Sequence, residues 1–271
     1  MLELRDDALL GQVLKGDTPE PVSIDLPLPP LTCQDGKPLE KEPLGDLIGD
    51  LLVRDGLLEA YVLASLPQAA AEWRVIDWPF DAIPDDPIEA LRTLDPPLSL
   101  SVPLADATID LKPLAGPGAR MLLGVADRKL VDDWIEVFTL AGAQLERLAP
   151  AQSCLLAALN GLLQQAPEEE LSVLVHPLAS GTRLLLLHRA EPVFEWPLPA
   201  GEDDLVREVT RCVAFYRRKE PSVRRLRLLL GEPVDGLDRL QDSLGVRAEI
   251  LTPDPYGSLV LQGLGMVEGR R

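Results

Sequence analysis

The order of hydrophobic patterns after residue 170 constrains the fold more than any other feature of this chain. Three short β-rich runs, Leu171 to Val175, Arg183 to His188 and Pro192 to Trp196, are separated by turn residues. They predict three consecutive antiparallel strands. The segment from Glu202 to Lys219 then carries apolar residues at helical spacing and two aspartates in its first turn. This pattern predicts an amphipathic helix.

The remainder of this second half alternates between strand and helix patterns. A strand is predicted at Leu226 to Leu230, a short helix at Leu237 to Leu244, a strand at Val246 to Leu251 and a closing helix at Tyr256 to Val267. The predicted order is therefore βββαβαβα. Because a continuously apolar strand needs cover on both faces, we expect a mixed sheet between helices.

The first half repeats this order less regularly. Strands are predicted at Leu2 to Leu4, Ala8 to Leu14, Val22 to Leu26 and Glu59 to Ala64, and helices at Leu44 to Val53 and Pro150 to Gln165. A segment with its own pattern interrupts this half. It predicts helices at Pro87 to Leu94 and Lys129 to Leu140, and strands at Leu98 to Val102, Thr108 to Leu111 and Met121 to Val125. We interpret it as an inserted small α/β subdomain over residues 77–147, with the first half at 1–76 and 148–168 and the second at 169–271.

Composition and charge exclude several classes of function. With 46% hydrophobic and 26% charged residues, the 271-residue chain has a globular composition. Its formal charge of -18 repels nucleic acid, so we expect no nucleic-acid partner. No apolar stretch is long enough to span a membrane, and no secretory leader pattern is present. We expect a cytoplasmic protein, in which any membrane association comes through a partner.

One group of cations is separated from the general negative charge. It surrounds Glu220 and consists of Arg217, Arg218, Lys219, Arg224, Arg225 and Arg227. The simpler interpretation is a solvated helix end, where cations suit the negative pole of the helix dipole. The alternative is a binding site for an anion or a partner.

No metal-binding or catalytic group can be assembled from the sequence. Cys33, Cys154 and Cys212 are widely spaced and lack metal-ligand or redox pairing. His176 and His188 are the only histidines, and no acidic or cysteine ligand accompanies them at metal-binding spacing. We therefore predict no metal and no catalytic residue, and we interpret both histidines as polar positions of a hairpin.

Two βββαβαβα halves with an insert in the first are the plan of the actin-like ATPases, whose halves are ribonuclease H-like duplications. Three segments resemble one branch of this group, PilM, the cytoplasmic type IV pilus assembly protein related to FtsA and GspL. They read "MLLGVADRKLVDDWIEVFTLAGAQLERLAPAQSCLLAAL", "PLPAGEDDLVREVTRCVAFYRRKEP" and "DPYGSLVLQGLGM". The resemblance implies an α/β actin-like fold with a small α/β insert.

The resemblance also locates the elements that would bind ATP, and each departs from the family pattern. The chain begins "MLELRDDALLGQVLKG" without Asp-x-Gly, so we expect the first strand and its phosphate loop to be truncated or lost. In the second phosphate hairpin His176 replaces the Asp and Leu178 the Gly, while Thr182 is retained. In the adenosine turn Gly231 remains and Glu232 replaces the second Gly. We predict no nucleotide cofactor and no ATPase activity; the alternative is a switch that still binds MgATP weakly.

The partner prediction also comes from the resemblance. PilM receives the cytoplasmic N-terminal tail of the membrane protein PilN in a cleft between its first subdomain and the insert. The sequence therefore suggests a non-catalytic scaffold with a PilN-like partner, with pilus motor ATPases and further copies of the chain as additional candidates. Trp73, Trp78 and Phe80 cluster where the insert begins, and we predict them as partner-binding residues. The alternative is a packed hinge between subdomains.

Overall fold

The computed structural model describes residues 1–15, 18–114, 119–177, 181–199, 201–252 and 255–268. The contacts divide these residues into two compact units. Unit 1 comprises Met1–Ala158 with the described residues from Pro255 onward, and unit 2 comprises Leu159–Asp254. Among the described residues, none of the helices combines the length and hydrophobicity needed to cross a bilayer.

Unit 1 consists mainly of strands with helices packed against them. Its elements are β1 (Leu2–Leu4), β2 (Ala8–Lys15), β3 (Thr18–Pro27), β4 (Cys33–Gln34), β5 (Lys37–Pro38), α1 (Lys41–Arg54), β6 (Tyr61–Leu66), β7 (Ala71–Asp77), α2 (Pro87–Arg92), β8 (Ala107–Pro113), β9 (Arg120–Asp127), α3 (Arg128–Leu140), β10 (Gln144–Pro150) and the start of α4 (Ala151–Leu163). Unit 2 contributes β11 (Glu170–His176), β12 (Arg183–His188), β13 (Glu191–Pro197), α5 (Glu202–Lys219), β14 (Arg225–Leu230), α6 (Leu237–Leu244) and β15 (Ala248–Ile250). The chain returns to unit 1 with α7 (Leu259–Glu268).

The main sheet of unit 1 has the strand order β10-β6-β1-β2-β3. Strand β1 is antiparallel to β2 and parallel to β6, and β6 is parallel to β10. Helices α1 and α3 pack together and supply the largest core side chains, including Trp134, Phe138 and Ile48. Their axes approach closely at Gly45, where a Cβ atom would lie 2.6 Å from the Cβ of Leu140.

A second, three-stranded sheet of unit 1 has the order β7-β9-β8 and is antiparallel throughout. One face carries a separate hydrophobic core formed with helix α2, in which Leu91, Leu123 and Trp78 are buried. This sheet is the inserted subdomain that the sequence predicted.

The sheet of unit 2 has the strand order β13-β12-β11-β14-β15. Its first three strands are antiparallel neighbours, whereas β11, β14 and β15 run parallel. Helix α5 covers the sheet through Leu205, Val209 and Val213, at the helical spacing read from the sequence. The order βββαβαβ is as predicted, with α7 assigned to unit 1.

Four of the described strands were not predicted and one predicted strand is wrong. The short strands β4 and β5 and the longer strands β7 and β10 were missed. The segment Leu98 to Val102 forms no strand, because Pro96, Pro97 and Pro103 flank it and cannot donate to a ladder. Its apolar side chains still pack against the insert core.

The domain boundaries also differ from those predicted. The insert sheet begins with β7 at Ala71 rather than at residue 77. Helix α3, predicted inside the insert, packs in the core of unit 1 against α1. The predicted second half, 169–271, loses its closing helix, because α7 packs on β6, β1 and β2 of unit 1.

Helix α7 is seated in unit 1 through an unusually close approach to α4. A Cβ atom at Gly263 would overlap the backbone carbonyl of Cys154, which cannot move without distorting α4.

We expect Gly263→Ala to lower the free energy of unfolding by about 1–3 kcal/mol, because α7 and α4 must separate to accommodate the added methyl group. Gly161→Ala is the matched control. Nothing lies within 4 Å of a Cβ atom at Gly161, and a helical alanine there should stabilise by about 0.5–1 kcal/mol. Chemical denaturation of both variants measures the difference, and equal effects would contradict this account of α7.

Candidate functional site

A groove of about 480 Å³ lies within unit 1, between the insert sheet and the end of the main sheet. Its walls are formed mainly by residues of β8, β9 and β10. The lining residues are Leu66, Thr108, Ile109, Asp110, Lys112, Gly124, Val125, Ala126, Val131, Arg147, Leu148, Ala149 and Pro150. A groove of this volume is within the usual range for ligand sites.

Both strands that border the groove are edge strands. Strand β8 pairs with β9 and β10 pairs with β6, and neither has a second neighbour among the described strands. An edge strand presents backbone N–H and C=O groups that can pair with another chain. Both strands therefore have one edge that pairs with no other described strand.

The lining of the groove combines apolar and charged side chains. Apolar side chains such as Leu66, Val131 and Leu148 line it, while Asp110, Lys112 and Arg147 supply charges. Asp110 and Lys112 form a weak, exposed ion pair with N···O 3.8 Å. Such a lining suits a peptide that buries apolar side chains and meets charges at its margins.

Gly124 of β9 leaves room in this groove. It faces Asp110 across one ladder and Trp73 across the other, so the three lie in one row of the sheet. A Cβ atom at Gly124 would meet Asp110 and Pro150 at 3.8 Å, which is ordinary contact distance. A larger side chain there would enter the groove without a backbone clash.

The three predicted partner-binding aromatics do not form one exposed surface. Trp78 is only 5% exposed in the insert core, and its Nε1 donates to the carbonyl of Ala82 at 3.2 Å. Phe80 packs edge-on against Trp78, with ring centroids 5.1 Å apart. Trp73 is half-buried on β7 beside Gly124. Because its large apolar ring fills the core of the small inserted subdomain, Trp78 stabilises that core and offers no contact surface to a partner.

The first hairpin is present with a short first strand, where the sequence led us to expect the strand and its phosphate loop to be truncated or lost. Strand β1 is only three residues long but lies in the middle of the main sheet, and the turn to β2 reads Arg5-Asp6-Asp7. Glu3 is 2% exposed, and its carboxylate accepts hydrogen bonds from Arg5 Nε at 2.7 Å and from Ser258 Oγ. What the described hairpin lacks is the Asp-x-Gly pattern.

The carboxylate of Asp6 is also engaged within unit 1. It accepts hydrogen bonds from the backbone N–H of Gly36 at 2.8 Å and from Cys33 Sγ at 3.3 Å. The carbonyl of Gly36 in turn accepts from Trp134 Nε1 at 2.9 Å. The turn is thus fastened to the β4–β5 hairpin and to α3.

In unit 2, two positions that the family resemblance assigns to the nucleotide elements, His176 and Gly231, lie side by side. His176, at the end of β11, is 3% exposed, and its imidazole lies directly against Gly231 at the end of β14. The N–H of Gly231 donates to the carbonyl of Val175 at 3.1 Å. Glu232 is exposed and Thr182 is half-buried. Leu178 lies outside the described residues.

The two histidines lie at opposite ends of the β11–β12 ladder, where His176 pairs with Arg183 and His188 with Leu171. The ring of His188 contacts the carbonyl of Glu168 at 2.8 Å and the hydroxyl of Tyr216 at 3.1 Å. They therefore cannot share a proton or a metal ion. Within the described part of the chain, no group of three His, Cys, Asp or Glu residues could hold a metal.

The cysteine thiols are unsuited to nucleophilic chemistry. All three are free and buried. Burial raises the pKa of Cys154 to about 12, and burial together with the neighbouring Asp6 raises the pKa of Cys33 even further. Protonated thiols are poor nucleophiles at neutral pH.

Comparison with family sequence models gives no match, and comparison with curated protein sequences gives none either. Solved structures do match. The PilM subunit fold in a "PilM-PilN type IV pilus biogenesis complex" superposes with a TM-score of 0.71 and 20% identity, covering 98% of this chain and 96% of that one. The chain has the actin-like ATPase fold. A Bacteroides thetaiotaomicron protein described as having that fold matches with a TM-score of 0.58 at 8% identity, covering 97% of this chain and 93% of its own.

A third similar structure is the cytoplasmic domain of EpsL, an inner-membrane component of the Vibrio cholerae type II secretion system. It matches with a TM-score of 0.52 and 11% identity, over 97% of this chain and 91% of that domain. The predicted fold class and the likeness to PilM are thus confirmed in structure.

Sequence reasoning missed the residues of the groove. Asp110 and Gly124 lie on predicted strands but were given no role, Lys112 lies one residue beyond a predicted strand, and Arg147 lies on the unpredicted β10. The glycine in the otherwise apolar run "MLLGVAD" was the available signal, because an isolated glycine in a strand often marks close approach of a ligand or another backbone.

The structural role of the first turn can be tested with two neighbouring aspartates. Asp6→Ala removes the acceptor used by Gly36 and Cys33 and leaves the Gly36 N–H without its partner. We expect the free energy of unfolding to fall by about 1–3 kcal/mol. Asp7 is exposed, so Asp7→Ala should change it by less than about 0.5 kcal/mol. Urea unfolding followed by circular dichroism measures both, and equal small effects would show that Asp6 does not fasten the turn.

Proposed function

We propose that this chain is a non-catalytic cytoplasmic scaffold of a type IV pilus or related secretion machine. It holds the N-terminal cytoplasmic tail of an inner-membrane protein in the groove of unit 1, and this partner keeps it at the membrane periphery. The observation that carries the proposal is a peptide-sized groove bordered by the free edges of β8 and β10. The similar PilM structure was solved as a complex with PilN, which supports a PilN-like partner.

The groove suggests how the tail binds. An extended tail pairs its backbone with the free edge of β8 or β10. Alternate side chains then point toward the apolar lining and the space above Gly124. Main-chain pairing gives affinity, while the lining selects small or medium apolar side chains. Asp110, Lys112 and Arg147 favour a polar or charged residue where the tail leaves the groove.

The same proposal assigns no ATPase activity. At the first hairpin, Arg5 occupies the turn and pairs with the buried Glu3. In unit 2, the imidazole of His176 covers Gly231, where a nucleotide's close approach would need open backbone. A histidine is also a poor replacement for the oxygen ligands that Mg²⁺ prefers. Several changes of independent chemistry therefore oppose MgATP binding.

Binding of the tail is tested with a labelled peptide from the cytoplasmic N-terminus of the membrane protein encoded next to this chain's gene. We expect the wild type to bind and Gly124→Leu to bind at least about ten-fold more weakly, because leucine fills the groove. Gly161→Leu, on an open helix surface, should bind as the wild type does. Fluorescence anisotropy measures the affinities, and thermal melts show that each variant folds. An unchanged affinity of the folded Gly124→Leu protein would remove the groove as the binding site.

The alternative is a nucleotide-dependent switch that binds MgATP weakly through the retained Gly231 and Thr182. Calorimetric titration separates it from the scaffold. We expect no saturable heat with MgATP up to about 1 mM, because His176 and Arg5 fill the phosphate elements. A binding heat that saturates with a micromolar dissociation constant would contradict the scaffold proposal and support the nucleotide-dependent switch. The same titration after addition of the tail peptide checks whether a partner opens the site.

A further inference from the structure

The group of cations noted in the sequence separates into two kinds in the structure. Arg225 pairs with Glu169 at 3.7 Å, and Arg227 pairs with Glu249 at 2.6 Å. The others face solvent. We call them, together with Arg189, the basic surface: Arg189, Arg217, Arg218, Lys219 and Arg224.

These five side chains are unusual within this acidic chain. Among the described residues they form no ion pair and no side-chain hydrogen bond, whereas nearby Arg207, Arg211 and Arg239 each pair with an acid. In a chain of charge -18, acids are plentiful, so exposed arginines ordinarily find a partner. A concentration of unpaired cations at one place therefore needs an explanation.

Three separate elements bring the basic surface together. Arg189 lies in the turn between β12 and β13, Arg217 to Lys219 form the last turn of α5, and Arg224 precedes β14. Hydrogen bonds hold these elements at one end of the sheet: His188 contacts Tyr216 of α5, and the N–H of Arg224 donates to the carbonyl of Glu169 at 2.9 Å. The hydrogen bond from the Ser222 hydroxyl is the main cause that lowers the pKa of Glu220, and Arg189 makes a smaller contribution in the same direction.

The local charge balance differs from that of the whole chain. Counting Arg225, six cations share this end of the sheet with four exposed or half-exposed acids, Glu168, Glu169, Glu170 and Glu220. Two of these acids are already engaged, Glu169 with Arg225 and Glu220 with the hydroxyl of Ser222. The basic surface is therefore a region of cation excess.

The basic surface cannot be a remnant of the phosphate site. His176 and Gly231 lie where Val175 pairs with Leu230, while the basic surface lies at the other end of the same ladder, where Glu170 pairs with Arg225. Five residues of strand separate these ends, a distance of about 16 Å. It is likewise absent from the lining of the groove in unit 1.

We infer that the basic surface docks an acidic segment of a partner protein. Four of its five cations are arginines, whose planar guanidinium groups match carboxylates in two-point hydrogen bonds. Phe215, 54% exposed on the last turns of α5, lies one turn from Arg218 and Lys219. An exposed aromatic beside arginines is the composition of protein-binding hot spots.

The chemistry favours a protein segment over an anionic membrane. A bilayer attracts lysine as well as arginine and presents a wide negative plane, which the remaining charge of this chain opposes. A short segment of Asp and Glu residues around an apolar residue could instead engage the arginines and Phe215 together. This surface is independent of the tail-binding groove, so the chain has a place for a second partner.

A defined probe tests this inference on the full chain. The probe is a fluorescein-labelled peptide of glutamates around a central Leu-Leu pair, titrated at about 50 mM salt, where screening is weak. We expect saturable binding to the wild type and a loss of at least about ten-fold in affinity with R217E/R218E. F215A should also weaken binding, which pure charge attraction would not predict.

Matched controls separate a site from general charge. K37E/R92E changes net charge by the same amount at exposed cations of unit 1 and should bind the peptide as the wild type does. If it loses as much affinity as R217E/R218E, the inference is overturned.

Thermal melts show whether the charge-reversal variant R217E/R218E folds. If it does not, R217Q/R218Q replaces it. Sedimentation with phosphatidylglycerol vesicles in place of peptide binding would point to a membrane instead. If R217E/R218E lowers the melting temperature but leaves the peptide affinity unchanged, the cations act only as a solvated helix end that complements the dipole of α5, and the inference is overturned.

Discussion

A buried carboxylate in the middle strand of the main sheet organises unit 1. Glu3 is enclosed by its neighbours, and an ionised group in such a place must be paired and hydrogen-bonded. Arg5 supplies the charge, and Ser258 supplies a hydroxyl that also caps α7 by accepting from the N–H of Leu261 at 3.0 Å. One side chain thus fixes the first strand, the first turn and the last helix. The same ion pair lies at the turn between β1 and β2, and the proposal that this chain binds no nucleotide rests in part on it.

The binding surfaces of this chain lie where its sheets end. The groove exists because β8 and β10 have no outer neighbours, and its depth depends on the missing side chain of Gly124. The basic surface occupies the strand and helix ends of unit 2. The hairpin of β1 and β2 holds Arg5, the end of β11 holds His176, and we propose that neither element binds nucleotide. Recognition by edge strands and surface charge needs no cofactor, which is consistent with a scaffold.

Elements with a strong local pattern could be predicted from the sequence, and elements defined by distant contacts could not. The continuously apolar strands and the amphipathic helix α5 were located correctly because their periodicity is independent of context. Strands β7 and β10, "AEWRVID" and "QLERLAP", mix charged and apolar residues, since one face of each is only partly covered. The groove could not be foreseen because it depends on the pairing of β10 with β6, which are far apart in sequence. Trp78 was predicted to bind a partner, with packing as the alternative, because the sequence alone does not show the insert core that this side chain fills. The contact of His176 with Gly231, by contrast, lay at the positions that the family resemblance had indicated.

The seating of α7 on unit 1 has a consequence for biosynthesis. Unit 2 is a continuous stretch of chain, whereas unit 1 needs its final helix to cover Leu63 and to give Glu3 its second hydrogen bond. Unit 1 therefore cannot complete its core until α7, which follows unit 2 along the chain, has been made. Without Ser258 and α7, the middle strand of unit 1 keeps a buried carboxylate that lacks one of its two hydrogen bonds.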